Sequence, residues 1–244
     1  MRAFFLFTVS AAALSIGAGV ASRHRSRKAE ADGRLSPPEP GFEPRAEQIA
    51  RWGLQYFVVP IWLAAGLADW GFHRASRIED TAGLKESILH LLMMLETAAP
   101  VLAALLLEID PLILSLMFAA FFLHEATAMW DVSYAVERRN VSPLEQHAHS
   151  FLELTPLLAL TLVSLMHWPQ LKTLAGLRTE PVKPFRLKKK PLPKAYVGGA
   201  LGAMTVFEAL PYAEEAVRVW LAHPRRPDTT RPRLTFNSVG TTAA

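Results

Sequence analysis

The chain contains no cysteine. That absence excludes disulfides, thiolate metal ligands, iron–sulfur clusters and cysteine nucleophiles, so any metal chemistry must use oxygen and nitrogen donors. Charge is scarce as well. Only 20% of the 244 residues are charged against 51% hydrophobic, and the charges fall mostly between long apolar runs. No GxGxxG, GxxxxGK[ST] or GxSxG pattern occurs, which removes the common dinucleotide, phosphate-loop and hydrolase-elbow signatures. No internal repeat is evident. The formal net charge of +4 and pI near 9.5 raise nucleic acid as a partner, and mean hydropathy is +0.19. The basic residues flank apolar runs, however, which fits membrane topology and anionic lipid and not nucleic acid.

What is present is a series of apolar runs: residues 3–21, 52–70, 87–107, 111–130, 149–168 and 195–210. A bilayer core needs about 20 apolar residues per helix, and the first five runs are near that length. The fold class is therefore all-α: an integral membrane helical bundle of about five to six transmembrane helices, with helices two to five as a four-helix core. Residues 1–22 read as an N-terminal transmembrane helix. Only Arg2 precedes that run, while Arg23, Arg25, Arg27 and Lys28 follow it. This bias is opposite to a cleaved signal peptide and favours a retained signal anchor. Residues 23–50 form a Pro-rich basic linker, 51–168 the core, and 169–194 a basic loop. Residues 195–222 make a C-terminal membrane or interfacial helix, and 223–244 a disordered tail. Pro60, Pro100 and Pro156 fall inside runs, which membrane helices tolerate. Asp110 and Pro111 suit the N-cap and first position of helix four. Trp52, Trp70, Trp130 and Trp168 sit at run ends and read as interfacial anchors.

The loops 71–86 and 131–148 share one membrane face. The other face carries the linker, the 108–111 turn and the 169–194 loop, with far more Lys and Arg. The positive-inside rule puts the first face outside, in a bacterial inner membrane or its equivalent.

That face gathers five of the eight histidines: His73, His90, His124, His147 and His149. Antiparallel helices bring them to similar depth, and each helix adds carboxylates. Asp69 and His73 are four apart, as are Glu86 and His90, and Glu145, His149 and Glu153 step by four. His124 and Asp131 are seven apart. These offsets share a helical face, whereas His147 points away from His149. Charged residues inside a membrane helix cost roughly 2.5–3.5 kcal/mol each on insertion scales, so several at one depth need a common reason. The expected metal ligands are His73, Glu86, His90, His124, Asp131, His149 and Glu153, with Glu125 and Glu145 as candidate general bases. Carboxylate plus imidazole suits iron, manganese or zinc, and a divalent metal, with iron first, is the expected cofactor, ahead of haem. Soluble di-iron bundles are an analogy of architecture only. The HxxxH and HxxHH boxes of membrane desaturases and hydroxylases are missing.

Plainer roles stand beside these. Ser142 and Glu145 fit a capping box. Asp131 is expected to pair with Arg138 or Arg139, and Glu79 with Arg74 or Lys85. The leading functional expectation is a membrane-embedded metal-dependent enzyme, performing di-iron-like oxidation or metal-assisted hydrolysis on a lipid-phase or interfacial substrate. An ion or proton transporter, and a structural membrane protein without metal, are the alternatives. Glu96 and Glu208 fit none of these.

Overall fold

The structure is a computed structural model that describes residues 2–37, 44–183 and 185–222. The proposed disordered tail and the proline-rich stretch 38–43 lie outside the described residues. Among those described there is no strand, only a single bridge between Leu107 and Leu187. The helices are α1 (Arg2–Ala31), α2 (Pro44–Gly53), α3 (Val59–Ala75), α4 (Leu84–Leu106), α5 (Pro111–Ala135), α6 (Pro143–Met166), α7 (Trp168–Leu174), α8 (Lys194–Met204) and α9 (Leu210–Ala222). Four of them, α1, α4, α5 and α6, are long and apolar enough to cross a membrane. Large apolar side chains such as Phe7, Leu14, Tyr56, Leu95 and Trp220 face outward, which is the surface of a bundle solvated by lipid.

Two further stretches are continuous helix. A π-turn over Leu54–Val58 joins α2 to α3, and another over Thr205–Ala209 joins α8 to α9. Each π-turn ends two residues before a proline, Pro60 in one and Pro211 in the other. Proline lacks an N–H and crowds the carbonyl four residues back. Widening the preceding turn relieves that clash and lets the helix continue. Pro211 therefore does not end the last helix, and the C-terminal helix, expected over 195–222 as a membrane or interfacial helix, packs on the bundle through α9 against α3 and α4.

The most apolar window of α5 is 56% buried against 17% in α1, α4 and α6, so α5 is the central helix. Its flank toward α1 is made of small groups. Thr8, Ala12, Gly19, Ser22 and Ser26 form the buried face of α1, and a side-chain carbon at Gly19 would overlap Ser115. This is close small-residue packing of the kind membrane helices use. The helix runs on through the basic cluster to Ala31, beyond the boundary at residue 22 expected from hydropathy. Ile109, Ile113, Leu114, Met117, Leu160 and Val163 form the apolar core between α5 and α6. Asp110 caps α5, its carboxylate accepting from the Ile113 N–H at 2.8 Å.

Candidate metal centre

Five chain segments converge at one end of the bundle. The C-terminal turns of α3 bring Asp69 and His73, the first turns of α4 bring Glu86 and His90, and the C-terminal part of α5 brings Asp131. The first turns of α6 bring Glu145 and His149, and α9 brings Tyr212 and Glu215; every one of these side chains is buried. The start of α4 is set by Gly83, whose φ of 69° and ψ of −148° suit only glycine. The start of α6 is set by a capping box: Ser142 Oγ accepts from the Glu145 N–H at 3.2 Å, and Glu145 Oε2 accepts from the Ser142 N–H at 3.3 Å. Glu145 is thus a cap and a site residue together, because its Oε1 is left facing the cluster.

Glu215 organises the two central histidines. His73 donates from Nδ1 to Glu215 Oε2 at 2.9 Å, and His90 donates from Nδ1 to Oε1 of the same carboxylate at 2.7 Å. The two rings stack with centroids 4.5 Å apart and planes within 5° of parallel. Both Nε2 atoms point away from Glu215, toward the other acids. His73 Nε2 meets Asp69 Oδ1 at 3.4 Å and Glu145 Oε1 at 3.5 Å, and His149 Nε2 lies 2.8 Å from Asp69 Oδ1. His90 Nε2 faces Asp131 Oδ2 at 3.3 Å. Tyr212 donates to Asp69 Oδ2 at 3.0 Å.

A buried guanidinium lies between the acids. Arg139 reaches Glu86 Oε1 and Glu145 Oε1, each at 2.5 Å from Nη2, and Nε adds a further bond to Glu86 at 3.0 Å. Burial alone would push this guanidinium down, but the bonds and charges from Glu86 and Glu145 outweigh it and hold it above its ordinary value. Asp131 was the expected partner of Arg138 or Arg139. Instead Arg139 serves Glu86 and Glu145, while Arg138 lies over the Tyr134 ring. Glu79 likewise pairs with Arg218 and, at 3.9 Å, Arg77; Arg74 pairs with Glu214, and Lys85 stacks over Trp130 and Tyr134.

Donor chemistry and hydrogen bonding disagree in an informative way. His73 Nε2, His90 Nε2 and Asp131 Oδ1 are buried and form no hydrogen bond, while Asp69 Oδ1 and Glu145 Oε1 are held by His149 and Arg139. Buried polar atoms are nearly always satisfied, so several orphaned at one point call for a ligand or a shared cation. Two sets have donor atoms mutually within 4.8 Å: Asp69, His73, Glu145 and His149, and beside it Glu86, His90 and Asp131. A third set, His73, His90 and Glu215, links them.

Of the residues singled out from spacing, His73, Glu86, His90, Asp131, Glu145 and His149 come together here. His124, Glu153 and Glu125 are outside the donor sets, although His124 and Glu153 line the small cavity beside them. His124 precedes Asp131 by two helical turns, about 10 Å at 1.5 Å per residue, so the shared face puts it well below the cluster. There its Nδ1 lies 3.4 Å from Thr97 Oγ1 and 3.9 Å from Glu96 Oε2. Glu153 is exposed one turn deeper than His149, and Glu125 is half-buried near it. His147 is exposed and packs its ring edge on Phe151, as its offset from His149 implies.

Glu215, Arg139 and Tyr212 were missed, and Asp69 was paired with His73 without being counted as a ligand. Glu208 joins them. It is buried and lines a small cavity of about 70 Å³ with Asp69, His90, Asp131 and His149, and its Oε1 is unpaired. A side-chain carbon at Gly66 would collide with its carboxylate, so Gly66 makes the space Glu208 occupies. The class defined by fold and site is a membrane-type all-α bundle with a buried histidine–carboxylate cluster. No protein-family model, curated protein or solved structure matches the chain.

Proposed function

We propose that the chain is a membrane-embedded metalloenzyme whose buried centre holds two divalent ions. Asp69, His73, Glu145 and His149 hold one, and Glu86, His90 and Asp131 hold the other. The observation that carries this reading is the set of orphaned donor atoms around the two parallel imidazoles. Charge supports it. Asp69, Glu86, Asp131, Glu145 and Glu215 bring five negative charges and Arg139 returns one. With the imidazoles neutral, as metal ligands are, two divalent ions cancel the remaining four; without metal, protons taken up by the imidazoles would have to offset them. Glu215 plays the part that outer-shell carboxylates play for histidine ligands, fixing the tautomer and aiming Nε2. Glu145, expected as a base, is a ligand in this reading. Glu208 takes the base's place, because it faces the same small cavity without a hydrogen-bond partner on Oε1.

Bound metals would supply either an acidic water for hydrolysis or, as iron with dioxygen, an oxidising centre; the ion found in the protein decides between these. The substrate comes from the lipid phase, and the site face lies outside by the excess of Lys and Arg on the opposite side. A transport pathway fits less well, because the helix halves beyond Glu96 and His124 enclose an apolar chamber. Elemental analysis of the detergent-purified chain tests the reading. It predicts about two ions of iron, manganese or zinc per chain, lost in a His73→Ala, His90→Ala double variant that still purifies as a folded helical protein. Protein that stays metal-free after reconstitution with each of the three ions overturns it.

A further inference from the structure

The half of the bundle away from the cluster is hollow. A chamber of about 520 Å³ lies between the N-terminal side of α3, the C-terminal half of α4, the N-terminal half of α5, the C-terminal half of α6, and α8. Its walls are mainly Ala, Val, Leu, Pro and Gly; Glu96, Thr97 and His124 lie toward the cluster, and Gln55 and Tyr196 at the far end. The small cavity beside the metal ligands and this chamber share Trp62, Thr97 and His124, which form a neck between them. The size is that of a ligand site, and the space is a partly open apolar cleft.

One wall is loosely attached. No residue of α8 is buried, whereas Glu208, Tyr212, Glu215 and Val219 further along the same continuous helix are. A side chain at Gly199 would meet nothing within 4 Å. The last helix is therefore anchored at the cluster end and stands off at the chamber end, where it faces lipid. That is the place for a lateral opening.

We infer that the substrate of the proposed centre is a single-chain amphiphile, lying with its apolar chain in the chamber and its polar end passed through the neck at Trp62, Thr97 and His124 to the metal ligands. The inference rests on the metalloenzyme reading for the polar end and on the chamber alone for the chain. His124 and Thr97 are the polar groups that meet the head as it leaves the apolar region, which gives His124 a place that metal ligation did not. One neck suits one chain, and the mostly aliphatic walls offer a polar solute few partners, Gln55, Thr155 and Tyr196 among them.

The test uses the full chain in detergent with 2-bromododecanoic acid as the probe, whose bromine sits beside the head group and so at the neck. Bromine quenches indole fluorescence on contact, and the Trp62 signal is isolated by subtracting a Trp62→Phe variant. Metal content is measured on the same samples. Saturable quenching of Trp62 is expected, weakened about tenfold in affinity when Ala159→Phe and Gly199→Phe fill the chamber, with metal content unchanged. Quenching that ignores the filled chamber means ordinary lipid contact and overturns the inference. Metal retained with no saturable quenching overturns it too, and leaves the centre standing. Saturable, chamber-dependent quenching in protein that never binds metal instead overturns the centre and the head-group assignment, and leaves only the chain site.

Discussion

In the half of the bundle that carries the cluster, α3, α4, α5, α6 and α9 each direct an acid or an imidazole inward, and the space between them is filled by ion pairs and hydrogen bonds. In the other half the same α3, α4, α5 and α6, with α8 in place of α9, enclose a chamber lined by small and aliphatic side chains. The four shared helices are continuous through both halves, so the difference lies in their side chains and in the stand-off of α8. The polar half is over-determined, since removing one group strands its partners in a medium that cannot solvate them. The apolar half is under-filled and tolerates added volume.

Substitutions sharpen that contrast. The largest effect is expected for Arg139→Ala, which leaves Glu86 and Glu145 facing each other without their cation. Equilibrium unfolding in detergent, before metal is added, should register a loss of about 3–5 kcal/mol. A change within 1 kcal/mol of wild type would mean the guanidinium is not compensating those acids. Next comes Glu215→Ala, which frees both imidazoles to rotate. Metal titration should read an affinity roughly 10–100-fold weaker for both ions at once. Loss at one ion only would break the idea of a shared clamp. Gly66→Ala drives a methyl group into Glu208, and about 1–3 kcal/mol of stability should go with it. Recovery in a Gly66→Ala, Glu208→Ala double variant would trace the cost to that contact, and no recovery would assign it elsewhere. Ser142→Ala removes the cap on α6 and should cost about 1 kcal/mol. Because Glu145 keeps its ion pair with Arg139, metal content should not change. At the other extreme, Ala159→Val adds a branch toward the chamber, and its effect should stay within about 0.5 kcal/mol. A cost like that of Gly66→Ala would show that the chamber is packed tighter than its volume implies.

Much of the polar half was legible from spacing. Pairs four apart on α3, α4 and α6 identify a common face and depth, and Asp131 follows from the antiparallel arrangement of α5. Two physical reasons explain what was not. The apolar run of the last helix stops at Leu210, so the acids beyond it carry no membrane-site signal; the π-turn absorbs Pro211 and carries Tyr212 and Glu215 into the core. Arg139 sits in a loop and reads as a partner of Asp131, since nothing in one dimension says that two other acids enclose it. His124 shows the opposite error. Its seven-residue offset correctly gives the face and conceals two turns of depth. The chamber was invisible, because an apolar run reads the same whether its side chains pack or leave a void.

X-ray absorption on protein loaded with the metal it retains bears most directly on the centre. Two ions about 3.5–4 Å apart, with only nitrogen and oxygen ligands in the first shell, are the predicted result. A single isolated ion, or scattering from free hydrated metal without imidazole, would contradict it.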